Sequence, residues 1–330
     1  MRAAAYSRTG PAAEVLELLD LPRPEPGPGE VLVRVAVSGV NPSDAKTRAG
    51  ARGALAFARV IPHSDGAGRI VATGDGVDPA RVGERVWLWN AAWGRAFGTC
   101  ADYVALPEAQ AVPLPDAAGY DDGACLGIPA QTAHRCLFAE GPVAGLDVLV
   151  TGGAGSVGAY AIQMAKLAGA RVITTVSSAE KAAHARAMGA DCVIDYRAGD
   201  AAAAILDATG GQGVDRIVEV EFGGNLPQTR AVLKENGAIA AYGSMAVPEP
   251  VLPFYPMMFA GQSLRMVLVY TLPAAARRAA IADIGGWLAT GALGHPVAAR
   301  YAIADVAAAQ DAVLAPGRIG AVLVEVATGV

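Results

Sequence analysis

Residues 148–168 carry the pattern that most restricts how this chain can fold. Val148-Leu149-Val150-Thr151 is a short apolar run of buried-strand type, and Ala159 to Ala168 reads as a helix. Gly153-Ala154-Gly155-Ser156-Val157-Gly158 joins the two. Alone, G-x-G-x-x-G is a weak signal. Between a strand and a helix it allows a tight turn, a close backbone approach to a pyrophosphate, and tight packing of helix on strand. The helix start adds N–H groups without intrahelical acceptors and the positive end of the macrodipole, both suited to an anion. Gly153, Gly155, Ser156, Val157 and Gly158 are therefore expected to hold a dinucleotide.

The surrounding rhythm extends this reading. Strands are expected at Arg171 to Val176, Cys192 to Ile194, Arg216 to Val220, Gly237 to Ala241 and Leu264 to Val269, with helices between them. Six such strands predict a parallel sheet covered on both faces. Residues 1–120 read differently, as short strands (Val31 to Val37, Gly66 to Ala72, Arg85 to Trp89, Ala101 to Leu106) broken by turns. Ala274 to Ala289 reads as one long helix, and Ala321 to Val326 as a strand able to rejoin the first domain.

A length of 330 residues favours two domains, and the α/β class follows. With 53% hydrophobic and 17% charged residues the chain is not a disordered one. A net charge of −5 argues against nucleic acid as a main partner. Cys100, Cys125, Cys136 and Cys192 form no C-x-x-C pair, which suits a reducing compartment and supplies no zinc knuckle. The N-terminus lacks an apolar leader core, and Val251 to Pro273 is interrupted by Gln262, Ser263 and Arg265. A cytoplasmic protein without membrane partners is expected.

The choice of dinucleotide rests on a missing carboxylate. An NAD site places Asp or Glu about 20 residues after the glycines, at the tip of the second strand. Here that tip reads Ser177-Ser178-Ala179-Glu180-Lys181. Ser177 and Lys181 suit a ribose 2′-phosphate that a carboxylate would repel, so NADPH is favoured. Glu180 argues mildly the other way unless it points off, and Lys181 as a solvated helix residue is the alternative.

Several segments resemble one family. Val37-Ser38-Gly39-Val40-Asn41-Pro42-Ser43-Asp44, His63-Ser64-Asp65-Gly66-Ala67-Gly68, Val82-Gly83-Glu84-Arg85-Val86 and Gly127-Ile128-Pro129-Ala130-Gln131-Thr132-Ala133 look like medium-chain dehydrogenases/reductases, as do the glycine turn and Gly189-Ala190-Asp191. The resemblance covers essentially the whole chain and has the features of the zinc-free quinone oxidoreductases, the zeta-crystallin-like group. It implies a GroES-like β-rich catalytic domain (residues 1–124 and 271–330) interrupted by a Rossmann domain with a doubly wound parallel sheet (residues 125–270), with NADPH in the cleft. The zinc branch would place Cys, His and Cys near Asn41, Ser64 and Gly127; those three residues are not a zinc set, and no metal is expected.

The resemblance also carries over residues. It implies Asn41 as the cleft residue that bonds substrate carbonyl or cofactor ribose, an Asn that merely satisfies the turn before Pro42 being the alternative. It places Thr132 near the nicotinamide, Tyr196 on the adenosine 2′-phosphate side, and Gly243 and Ser244 at a cofactor-binding strand end. Glu219 and Asn225 match the pattern too, which implies Asn225 within reach of the cofactor, a buried, paired carboxylate being the alternative for Glu219; Arg318 is read as a surface charge rather than a phosphate ligand. The segment Ala45 to Arg52 departs from the group, having no aromatic residue. Lys46, Arg48 and Arg52 make it a basic substrate rim suited to an anionic acceptor, or else a solvated loop. The expected activity is NADPH-dependent, zinc-independent reduction of quinones or similar unsaturated carbonyls. The alternatives are an enoyl or alkenal reductase and a non-catalytic NADPH-binding protein. The apolar edge at Leu264 to Val269 predicts a homodimer.

Overall fold

The computed structural model describes residues 1–327. In chain order the first stretch holds β1 (Arg2–Ala5), α1 (Ala12–Val15), β2 (Glu17–Asp20), β3 (Glu30–Val40), α2 (Pro42–Arg48), β4 (Asp65–Thr73), β5 (Arg85–Leu88), β6 (Tyr103–Pro107), β7 (Ala111–Pro113) and α3 (Tyr120–Ala124). A π-helical turn, Leu126–Ala130, leads into α4 (Gln131–Phe138). Then come β8 (Asp147–Val150), α5 (Ser156–Leu167), β9 (Arg171–Val176), α6 (Ala179–Ala187), β10 (Cys192–Asp195), α7 (Ala201–Ala208), β11 (Val214–Glu219), α8 (Phe222–Val232), β12 (Leu233–Ala241), α9 (Phe254–Phe259) and β13 (Ser263–Met266). The last stretch is α10 (Ala274–Ala289), β14 (Val297–Ala302), α11 (Val306–Ala312) and β15 (Ala321–Glu325).

Two compact units result: Met1–Ile128 with the chain from Ile281 on, and Pro129–Ala280. Both junctions fall later than the 124/125 and 270/271 expected from the sequence. Each lies inside a helical segment, the π-helical turn and α10, that begins just after the bounds implied by the resemblance.

In the first unit β3 is the organising strand. Its alternating branched residues Val31, Val33 and Val35 are buried, and β15, β4 and β6 all pair with it antiparallel. The full sheet runs β14-β15-β3-β4-β5-β7, with β6 also on β3. Ile70, Val86, Leu88, Val104, Leu106, Val322 and Val324 complete its core. β15 lies between β14, to which it is parallel, and β3.

The second unit is a six-stranded parallel sheet in the order β10-β9-β8-β11-β12-β13. This is the doubly wound order in which the crossovers reverse direction between β8 and β11, the position where such sheets bind ligands. Leu149, Ile173, Ile217 and Ile239 from neighbouring strands fill the core with Phe222 and Leu226 of α8. The α/β class expected from the sequence stands. One strand is shorter than expected. β13 stops at Met266 because its partner β12 ends at Ala241, opposite it; Val267 N–H makes the last bond, to Ala241 O at 2.8 Å, and Val269–Thr271 is a 3-10 turn.

Two buried arginines fix α4 against this sheet. Arg216 of β11 donates to the carbonyls of Leu137 (2.5 Å), Glu140 (3.0 Å) and Gly141 (2.8 Å), capping the negative end of the helix. Arg277 of α10 donates to Gln131 Oε1 (2.7 Å) at the opposite end and to Val269 O (2.6 Å). No helix among the described residues is long and apolar enough to cross a membrane.

Candidate functional site

The chemistry-bearing residues fall into two groups, one in each unit. In the second unit the glycine turn occupies the carboxyl end of β8, at the switch point. Gly152 N–H meets Thr175 Oγ1 (3.3 Å), Gly153 N–H meets Thr175 O (3.2 Å), and the helical ladder of α5 begins with Ala159 N–H to Gly155 O (2.8 Å). The three motif glycines differ in what surrounds them. A Cβ on Gly153 would lie 2.1 Å from Thr174 Oγ1, and one on Gly158 2.5 Å from Gly152 O, so both are required by packing. At Gly155 the nearest atom is Gly152 O at 3.4 Å, so this glycine leaves a cradle in front of the first turn, Ser156-Val157-Gly158. A side chain would fill the space a pyrophosphate needs, and the residues present therefore fit a dinucleotide.

Among the described residues no carboxylate is bonded to Ser177 or Lys181 at the tip of β9. Lys181 Nζ donates to Ser177 Oγ (3.0 Å), while Ser178 Oγ caps α6 by accepting from Lys181 N–H (3.3 Å). Lys181 is thus held over the strand tip rather than loose in solvent, and Glu180 is exposed. Half-exposed Tyr196 follows β10, the neighbouring strand, with its N–H on Val176 O (3.1 Å). Ser177, Lys181 and Tyr196 share one corner of the sheet.

Other expected residues are committed to the protein itself. Ser244 Oγ donates to Val247 O (2.6 Å) and accepts from Gly223 N–H (2.9 Å), and Gly243 O takes Phe222 N–H (2.8 Å). Asn225 Nδ2 donates to Glu219 Oε1 (2.9 Å) instead of presenting itself to a ligand. Glu219 is wholly buried, and the same oxygen accepts from Thr151 Oγ1 (2.8 Å) and Glu221 N–H (2.6 Å). Burial raises its carboxyl pKa against the lowering effect of these donors. Glu221 accepts the N–H groups of Met245 (2.7 Å) and Ala246 (2.9 Å). Thr151 and Glu221, which tie three ligand-side loops together, carry no recognisable sequence signal. Thr132 is buried on α4, one residue past the Arg277-held Gln131.

In the first unit Asn41 joins β3 to α2. Its Nδ2 donates to Asp65 Oδ2 (2.8 Å), and its N–H meets Asp44 Oδ2 (2.8 Å). Asp65, wholly buried, also accepts Ile128 N–H (2.9 Å). Its Oδ1 lies 2.1 Å from where a Cβ on Gly127 would be. The positions that the zinc branch fills with ligands are thus bridged by one carboxylate and an amide. Among the described residues no group of three or more His, Cys, Asp or Glu side chains is placed to hold a metal ion.

Behind Asp65 runs a directional chain. Gln310 Oε1 accepts from Arg48 Nε (3.0 Å), which turns its Nε2 toward His63 Nε2 (3.2 Å). His63 therefore carries its proton on Nδ1, facing Ser38 Oγ (2.9 Å); Ser38 passes on to Thr99 Oγ1 (2.7 Å), and Thr99 donates to Asp65 O (2.6 Å). Arg48 is accordingly no rim residue. It is buried, and its Nη1 also reaches Gly10 O (2.6 Å). Lys46 is half-buried and Arg52 exposed, as a rim requires. An aromatic partner missing from the 45–52 segment comes from another loop: Arg52 Cζ lies 5.8 Å from the Trp93 ring centroid. Arg318 binds the carbonyls of Val313 and Gly320, so it is neither a phosphate ligand nor a solvated charge.

The class defined by this fold and these residues is a two-domain dehydrogenase with a doubly wound cofactor-binding sheet. Residues 27–116 match the alcohol dehydrogenase GroES-like domain, and residues 156–284 match the zinc-binding dehydrogenase family. The quinone oxidoreductase of Rattus norvegicus is 33% identical over 232 residues, covering 70% of this chain and 69% of its own. A solved mycobacterial quinone oxidoreductase has a TM-score of 0.87 at 29% identity, covering 98% of this chain and 99% of the other. A mycobacterial structure complexed with NADPH gives 0.85 at 30% identity, over 98% and 100%. The chain belongs to the medium-chain dehydrogenase/reductase superfamily of oxidoreductases.

Two buried groups of the first unit titrate in opposite senses. Burial lowers His63 from 6.5 to about 3, and burial raises Asp44 from 3.8 to about 7 despite the Asn41 N–H and the Arg52 charge. As pH falls from 6.5, the unfolded chain binds a proton that folded His63 refuses, which costs stability. As pH rises from 3.8, the unfolded chain sheds a proton that folded Asp44 keeps, which also costs stability. Between these values the two pH dependences oppose each other and cancel, leaving a constant combined cost. Replacing one should unmask the other. In His63→Gln, stability should fall by about 1.4 kcal/mol per pH unit from pH 4 to 6.5, and in Asp44→Asn it should rise by the same slope. Urea midpoints at half-unit intervals measure this, and parallel profiles in the two variants would contradict it.

Proposed function

We propose that the chain is an NADPH-dependent, zinc-independent quinone oxidoreductase acting on quinones or similar electrophilic carbonyl acceptors. The observation that carries this reading is the Asn41–Asp65 pair at the positions where the zinc branch holds its metal. Asn, Ser and Gly are not zinc ligands, so carbonyl polarisation falls to an amide N–H. An amide suits acceptors that are already electrophilic, and it is a poor substitute for a Lewis acid in alcohol chemistry. The quinone oxidoreductase relatives and the NADPH-complexed neighbour support the same reading.

When bound, NADPH supplies a hydride. The quinone takes up that hydride and one proton from solvent and leaves as the hydroquinone. In the second unit, the Gly155 cradle and the first turn of α5 would receive the pyrophosphate, while Ser177 and Lys181, with Tyr196 alongside, would take the 2′-phosphate. In the first unit one N–H of Asn41 Nδ2 goes to Asp65, which fixes the amide plane; the other would donate to the acceptor oxygen. The buried Asp65 carboxylate strengthens this donor by polarising the amide.

The reading is tested by following NADPH and NADH oxidation with 1,4-benzoquinone and with crotonyl-CoA, each with and without EDTA. NADPH-selective quinone turnover that survives chelation is expected. Loss on chelation would sink the zinc-free assignment, and turnover confined to crotonyl-CoA would make the chain an enoyl reductase. Lys181→Ala should weaken NADPH binding by about 1.5–3 kcal/mol and leave NADH nearly unchanged, measured by fluorescence titration. Equal weakening of both would remove Lys181 from the phosphate site.

A homodimer belongs to the same proposal. β13 is the open edge of the parallel sheet, and exposed Met266, Leu268 and Phe259 lie on or beside it. Pairing this edge with a second copy would satisfy its backbone and cover the apolar side chains. Light scattering at micromolar concentration should give twice the chain mass, and the mass of a single chain would refute pairing.

A further inference from the structure

Two loops of the first unit flank the Asn41–Asp65 pair. Residues 49–60 follow α2, with Ala51 N–H on Lys46 O (3.0 Å) and Val60 N–H on Tyr6 O (2.8 Å). Residues 89–100 follow β5, with Ala91 N–H on Ser64 O (3.0 Å) and Thr99 N–H on His63 O (3.0 Å). The loops are tied to each other through Ile61, whose N–H meets Ala96 O (2.8 Å) and whose O takes Gly98 N–H (2.8 Å). They are therefore held relative to Asp65, not free to drift.

What these loops show to solvent is unusual for this unit. Among the described residues its exposed large aromatic side chains are Phe57, Trp93 and Phe97, and all three lie on the two loops. Large aromatics are normally withdrawn from water, and a local concentration of exposed ones marks a binding surface. The chemistry is further specified by Arg52, whose guanidinium stands over the Trp93 ring. Asp44, at the start of α2, is the carboxyl that holds the Asn41 backbone N–H. Arg52 thus stands on the aromatic surface, in the loop that leaves the helix capped by Asn41.

We propose that Trp93 and Arg52 form the acceptor-recognition site, and that the preferred acceptor is a quinone carrying an anionic group on its ring. This rests on the quinone oxidoreductase reading above. A quinone ring is flat and electron-poor, and the indole face is flat and electron-rich, so the two stack. The guanidinium, 5.8 Å from the ring centroid, would stand beside the stacked ring and pair with a carboxylate or sulfonate projecting from it. The reaction is unchanged: hydride from the cofactor and a proton from solvent convert the bound quinone to hydroquinone, and the anionic substituent takes no part in bond making.

The test is steady-state kinetics at saturating NADPH with 1,4-naphthoquinone and 1,4-naphthoquinone-2-sulfonate, for the wild type, Arg52→Gln, Trp93→Ala and Trp93→Phe. The wild type should prefer the sulfonate about 10-fold in kcat/KM. Arg52→Gln should erase that preference through KM. Trp93→Ala should raise KM for both acceptors about 10-fold while kcat stays within about 3-fold, and Trp93→Phe should recover most of the loss. The KM for NADPH should not move in any variant, which separates this role from a general effect on folding. Quinone turnover that is unaffected by the three substitutions would overturn the acceptor site alone. Failure of the wild type to reduce either quinone would overturn the quinone reading and this site together.

Discussion

A carboxylate withdrawn completely from water must be given donors before anything around it can pack, and each unit of this protein is arranged about one. Asp65 collects an amide from the strand-to-helix junction at Asn41 and the N–H of Ile128, while its own carbonyl receives Thr99. Glu219 collects a hydroxyl from the end of β8, an N–H from its own loop and an amide from α8. An unpartnered buried carboxylate costs several kcal/mol, so these donors cannot wander without loss of stability. The same requirement that stabilises each unit therefore holds its chemically active loops in place.

The two carboxylates differ in how they use their oxygens. Asp65 has Oδ2 engaged by donors and Oδ1 set against the Gly127 backbone, where no side chain would fit. This makes glycine obligatory at 127 and removes a ligand position by steric means. Glu219 concentrates three donors on one oxygen. It acts as a pin across the switch point, joining the β8 tip to the loop after β11, and Glu221 carries the connection on to the loop after β12. The anchored backbone, rather than any one side chain, is what makes the carboxyl edge of the sheet a fixed surface.

Much of the architecture was legible because it is local. The glycine turn, the order of strand and helix in the second unit, the long helix at 274–289 and the carboxylate-free tip of β9 are written in contiguous residues. What the sequence left hidden shares one cause. Arg48 resembled a rim residue because its partners, Gly10 and Gln310, lie far away in sequence. Asn225 and Ser244 offered polar groups whose use by Glu219 and Val247 appears only after folding. β13 looked longer than it is because apolarity continues past the point where its neighbour ends. Trp93 went unnoticed as a partner for Arg52, since no pattern links the loop after β5 to the loop after α2.

β15 occupies an interior position in the first unit's sheet, between β14 and β3, although it comes at the end of the described chain. During synthesis, β3 emerges early, and the Val37–Val40 end of one flank, beyond the part that β6 covers, stays open until β15 is made. The second unit is contiguous in sequence and closes without that wait. On the ribosome the inserted unit is thus complete while its host still lacks the partner for the Val37–Val40 end of its organising strand. During that interval, rather than in the finished fold, this strand end presents unpaired backbone groups to other chains.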